Sequence, residues 1–258
     1  MYRTLDADKI VETAERLGQR LQERFPDRGL NNVCAELRDV ARETQERCRW
    51  IRKPHLLLRS AVAAVIGLLL LSFLTLVITF GQTSRVADEA VGFVDFVQVL
   101  EAGLNDLVMV GVAVFFLVTL ETRFKRSKAL RSLHELRALA HVIDMHQLTK
   151  DPERVLQRGR DTKSSPVHTL TPFELTRYLD YCSEMLSIVG KIGALYAQNL
   201  NDAVVLAAVN EIEDVTAAMS QKIWQKIGQL QEMEMRGMLP KGALERSRVE
   251  AGRTPAAG

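Results

Sequence analysis

Hydrophobic positions recur along this chain in two different ways, and the difference predicts its architecture. In most segments they return every three or four residues, the repeat of a helix with one buried face. Ile10, Ala14, Leu17, Leu21 and Phe25 follow that rule behind Asp6 or Asp8, either of which can cap a helix, and Pro26 ends it. Val33, Leu37, Val40 and Ala41 repeat it behind Asn31 or Asn32 as far as about Arg52. Residues 1–55 therefore read as a helical hairpin. Ala129, Leu133, Leu136, Ala140 and Ile143 form a further seam, with no helix breaker between Glu121 and Asp151-Pro152. Thr171-Pro172-Phe173-Glu174 has the cap, first-turn proline and returning carboxylate of a helix start. Leu175, Leu179, Cys182, Leu186, Val189, Gly193 and Tyr196 then alternate four and three apart. After a break at Asn199–Asp202 the same spacing resumes from Val205 through Leu230, and Gly237 and Pro240 close it. Two long helices so patterned predict a hairpin over 172–238, or a bundle with the 122–150 helix or with another copy.

The second pattern is the absence of any period. No residue between Arg59 and Arg85 is charged, and Ala61–Phe80 is apolar around the whole helix save Ser72, Thr75 and Thr79. A bilayer core about 30 Å thick needs roughly 20 such residues. A second apolar run covers Gly103–Leu120, but its uncharged part, Leu107–Leu120, would rise only about 21 Å as helix. Flanking charge decides how to read it. Arg47, Arg49, Arg52, Lys53 and Arg59 precede the first run, and Arg123, Lys125, Arg126, Lys128 and Arg131 follow the second. Between the runs Arg85 stands against Asp88, Glu89, Asp95, Glu101 and Asp106. Basic flanks stay cytoplasmic, so the pattern predicts two spans, at 56–81 and 104–121, with both termini inside a cell membrane of bacterial inner-membrane type. The connector 82–103 carries an amphipathic helical repeat, and either lies on the outer leaflet or extends the second span outward. A polar linker at 151–171 and a disordered tail at 239–258 complete an all-α, two-span membrane protein with cytoplasmic helical, coiled-coil-like regions.

Composition agrees with helix throughout: 47% of the 258 residues are hydrophobic and only 6% aromatic. A net charge of +2, with no basic motif or stacking platform, gives no reason to expect a nucleic-acid partner. Cys34, Cys48 and Cys182 form no CxxC pair and read as free thiols in a reducing compartment. Neither a secretory signal nor an acid-poor transit peptide precedes the first apolar run.

Candidate chemistry is sparse. His134 and His141 lie two turns apart on one helix face, and Asp144 follows three residues later, a spacing that lets ligands reach one metal ion or lets imidazoles sense pH. The competing reading is histidines that flank a packing seam, and it is preferred because no HxxxH or HExxH accompanies them. Ser72, Thr75 and Thr79 form a polar stripe in the first span, with Asn105 and Asp106 at the outer end of the second. These five are the pore-lining candidates, though hydroxyls that bond back to their own helix explain the stripe more simply. Glu121 reads as a local partner of Arg123 or Lys125. No phosphate loop, GxSxG, kinase signature or cofactor motif occurs, so no enzyme activity is expected. The expected function is a non-enzymatic membrane scaffold or signalling component. It would form a homo-oligomer through its helical seams or hold a cytoplasmic protein partner; a pore and a metal or pH sensor are the alternatives.

Overall fold

The structure, a computed structural model, describes residues 4–52, 56–83, 89–152, 163 and 170–237. Among them the fold is all-helical, with six helices and no strand: α1 (Ala7–Arg24), α2 (Leu30–Arg52), α3 (Leu56–Thr83), α4 (Glu89–Leu148), α5 (Pro172–Asn199) and α6 (Ala203–Met235). Most of the linker 151–171, the tail 239–258 and the connector from 84 to 88 lie outside the described residues. The chain divides into two compact units, Met1–Trp50 with Lys128–Gly258, and Ile51–Ser127.

Local chemistry sets the helix ends in the first unit. Asp6 caps α1 by accepting from the Asp8 amide at 2.9 Å, and Phe25 and Pro26 follow its last turn. Thr171 and Glu174 form the full capping box on α5, with bonds of 3.2 and 2.8 Å and Pro172 in the first turn. The Asp202 carboxylate receives the Val204 and Val205 amides at the start of α6. Gly237, at φ 61°, ends that helix in the left-handed conformation glycine adopts without strain. The second helix departs from expectation. It starts at Leu30, and Asn31 does not accept amides as a cap would but donates to the Phe25 and Pro26 carbonyls at 2.5 and 3.2 Å. Its amide thus closes the turn behind α1.

The seams predicted in this unit are filled by the chain itself, except that Val40 of the α2 set stays partly exposed. The α1 set from Ile10 to Leu21, the α4 set from Ala129 to Ile143 and the α6 set from Val205 to Leu230 are all buried. The central element is α5. It buries Leu175, Leu179, Cys182, Leu186, Val189 and Tyr196 on one side and Tyr181, Ile188, Ile192 and Leu195 on others, leaving Ser187, Lys191 and Gln198 exposed. A helix apolar over most of its circumference belongs inside a bundle. Each fully buried leucine here stabilises the bundle by roughly 2 kcal/mol.

The two hairpins read separately from the sequence therefore share one core. Phe25 sets its ring edge-on to Tyr178 and Tyr181, at 5.6 and 6.2 Å. From α2, Thr44 meets the Tyr196 hydroxyl at 3.3 Å, and Arg47 reaches Ser132 and Glu135 on α4. Arg137 on α4 pairs with Glu211 on α6 at 2.6 Å. The apolar faces of these seams have partners within the chain.

The second unit is different. Here α3 runs 28 residues, about 42 Å of helix, and α4 enters the unit at Glu89. From Glu89 onward the expected connector belongs to the same helix as the second apolar run. Among the described residues one stretch, Gly103–Leu148, is long and apolar enough to cross a membrane, while Val62–Thr75 of α3 is apolar but shorter. The two-span expectation is met by one candidate span on that measure.

Candidate functional site

The apolar unit exposes what the bundle hides. Leu68, Phe73, Leu107, Met109, Val112 and Phe115 are all more than half exposed, Phe115 at 73%. Soluble monomers rarely present contiguous apolar surface of this extent, whereas lipid tails cover it at no cost. Three threonine hydroxyls in the apolar stretches are satisfied along their own helix. Thr75 donates to the Ser72 carbonyl at 2.8 Å, Thr119 to Phe115 at 2.7 Å and Thr122 to Val118 at 3.1 Å. Ser72, Thr75 and Asn105 are exposed, and no neighbouring helix gathers them around a lumen among the described residues. The side chains of Thr79 and Asp106 lie outside the described set. Glu121 pairs with Lys125 at 2.6 Å, the local ion pair its spacing implies.

In the bundle, the last turns of α4 hold the densest polar cluster. His134 and His141 are exposed, and Asp144 accepts from the Gln147 amide at 2.6 Å. Among the described residues no three His, Cys, Asp or Glu side chains are placed to hold a metal ion, so the suggested ligands His134, His141 and Asp144 have no common focus. What the cluster does is finish the helix. Gln147 is buried, and the Lys226 ammonium from α6 donates to its carbonyl at 2.8 Å and to its side-chain oxygen at 2.6 Å. A cation at this end also complements the negative pole of the helix.

His146, which the spacing argument leaves aside, is the better-placed imidazole. Its Nδ1 lies 3.3 Å from the Tyr178 hydroxyl, and the Lys150 ammonium sits 5.3 Å from the centre of the Tyr178 ring. A Cβ built on Gly29 would come within 3.2 Å of its Cε1, so the α1–α2 turn presses directly on the ring. Burial lowers the His146 pKa, and the nearby Lys150 charge lowers it further. Burial likewise lowers Lys150 and Lys226 and raises Tyr178. Burial thus works against the charged form of each of these groups, and the cluster packs the end of α4 against α5 and α6.

The thiols are equally inert. All three cysteines are free and buried, and burial pushes Cys34 up to about 11 and Cys182 up to about 12. A cleft of about 600 Å³ between α1 and α2 reaches Cys34, with small and polar walls from Ala14, Gly18, Ala35 and Arg38. Asn31 beside it has its Oδ1 buried without a hydrogen-bond partner among the described residues.

One feature with no periodic signal is the pairing of Trp50 with Lys128, whose ammonium lies 4.6 Å from the ring centre. Only its place in the order of residues, just ahead of the first apolar run, could have drawn attention to Trp50. No protein-family model matches the chain, and no curated protein or solved structure matches it.

Proposed function

We propose that this chain is an integral membrane protein of bacterial inner-membrane type that holds a five-segment helical bundle at the cytoplasmic face, acting as a non-enzymatic scaffold or signalling component. The observation that carries the reading is the contrast between the two units. One buries its apolar seams within itself, while the other exposes large apolar side chains from Val65 to Phe124. Water does not tolerate such a surface; hydrocarbon does. The finer topology is two spans, α3 and the apolar part of α4, with both termini inside. It is supported by the basic residues outside the two runs and the acidic ones between them. The scaffold role is favoured because the bundle's three thiols are buried and His146 is held against Tyr178, so these groups serve its packing. Partner binding, whether by another copy or a second protein, would use surface other than the buried seams.

Reporter fusions test the topology. A reporter active only in the cytoplasm should work when joined to the C-terminus and fail when inserted next to Arg85. An insertion near Arg85 that reports from the cytoplasm would eliminate the two-span arrangement.

A further inference from the structure

Trp50 and Lys128 occupy a special position: the chain leaves the bundle after Trp50 and re-enters it at Lys128. These two residues, on helices far apart in sequence, are in contact, with the Lys128 Nζ 4.6 Å from the centre of the Trp50 ring. One helical turn beyond Lys128 stands Arg131. Lys128 and Arg131 are both exposed, and neither has a carboxylate partner among the described residues. Their neighbours on α2 behave differently: Arg47 is bound to Glu43 and Glu135, and Arg49 to Asp8. The bundle thus keeps uncompensated positive charge at the corner where its chain passes to and from the apolar unit.

We propose that the corner formed by Trp50, Lys128 and Arg131 binds anionic phospholipid headgroups. The inference rests on the membrane reading above and adds to it a lipid class and the residues that select it. An indole is amphipathic, with an apolar body and one N–H donor, and it settles at headgroup depth. Two cations without acidic partners meet the phosphate of a lipid that carries net negative charge. A zwitterionic headgroup offers the same phosphate but brings its own ammonium, so it gains less from this corner. The stacking of Lys128 on Trp50 holds the cation beside the ring, which places charge and indole at one depth.

The chain has two tryptophans, Trp50 and Trp224, so a Trp224→Phe background makes Trp50 the sole indole fluorophore. The full chain in that background is reconstituted into vesicles of phosphatidylcholine alone or mixed with phosphatidylglycerol. In each series one lipid is brominated, either high on the acyl chain or near its methyl end. Trp50 emission should be quenched most by bromine near the headgroup. Per mole fraction, brominated phosphatidylglycerol should quench at least about fivefold more effectively than brominated phosphatidylcholine at low salt, the enrichment that a single one of the two cations supplies. High salt should shrink that preference. Arg131→Gln, which leaves the Trp50 stack intact, should reduce it, and Lys128→Gln with Arg131→Gln should bring the two lipids to parity. The exchange of both for the other basic residue, Lys128→Arg with Arg131→Lys, should keep it. Equal quenching by both lipids in the unsubstituted corner, or no quenching in chain that floats with the vesicles, would overturn the inference alone. Chain that stays out of the vesicle fraction would overturn the membrane reading and this inference with it.

Discussion

The union of the N-terminal hairpin with α5 is the least obvious feature of the fold, and a double-mutant cycle on Thr44 and Tyr196 examines it. Both side chains are fully buried, from positions 152 residues apart, and their hydroxyls meet at 3.3 Å. A net hydrogen bond in a protein contributes about 1 kcal/mol, but a buried polar group stripped of its partner costs about 1–3 kcal/mol. Tyr196→Phe leaves the Thr44 hydroxyl without that partner, and Thr44→Val does the same to the phenol. Each single change should therefore destabilise the bundle by about 1–2 kcal/mol. With both hydroxyls gone neither is orphaned, and Arg47, which also interacts with the Tyr196 phenol, keeps Ser132, Glu43 and Glu135. The double variant should therefore cost about 1–2 kcal/mol less than the sum of the singles. Since about 1.4 kcal/mol is a tenfold change in an equilibrium constant, the coupling is measurable. Chemical denaturation of the full chain in mild detergent, followed by far-ultraviolet circular dichroism, supplies the four free energies. Additive costs would refute the reasoning, because side chains that never meet cannot couple.

Four further outcomes follow from named contacts. Gly29→Ala places a methyl 3.2 Å from the His146 Cε1 and should lower stability by about 1–2 kcal/mol in the same melt, with His146→Ala relieving most of that cost. The lowered His146 pKa gives a pH dependence whose sign is fixed. The folded state disfavours the imidazolium, so stability is fully present above the unfolded value near 6.5 and falls as pH drops through the lower folded pKa. Denaturation midpoints between pH 5 and pH 8 should decline toward acid, and His146→Gln should flatten that part of the decline. Thr171→Ala removes the α5 cap and should cost about 1 kcal/mol. A thiol reagent at mildly alkaline pH should leave native Cys34, Cys48 and Cys182 unmodified and label all three on unfolding, and rapid labelling of Cys182 in the native chain would contradict its burial.

Much of the local structure was legible because it is local. The cap at Asp6, the box at Thr171 and Glu174 and the stop at Pro26 depend on residues within one turn, and the structure has each of them. The seams on α1, α4, α5 and α6 were legible as buried faces, because period alone identifies a buried face. Period does not say what buries it. Tyr178, Tyr181, Ile188 and Leu195 widen the apolar arc of α5 beyond one seam, and that excess is the trace of a helix with neighbours on several sides. Read as a wide seam it suggests a hairpin or an oligomer; read by circumference it predicts the centre of a bundle that the N-terminal hairpin completes. Asn31 misled for a chemical reason, since its side chain can donate as well as accept and here donates. The His134 and His141 pair drew notice through spacing, yet spacing carries no information about burial, and the engaged imidazole is His146, whose partners come from α5 and the α1–α2 turn. Trp50 and Lys128 meet across 78 positions of intervening chain (128 minus 50), which no local pattern encodes.

The central claim is that the exposed apolar unit resides in lipid. Alkaline carbonate extraction of membranes from cells that express the full chain tests it most directly, because carbonate strips peripheral proteins and leaves bilayer-embedded helices in place. The chain should stay in the pellet, float with lipid on a density gradient and leave it only with detergent. Release of folded chain into the carbonate supernatant would contradict the account, since the surface from Val65 to Phe124 would then need a protein partner instead of hydrocarbon.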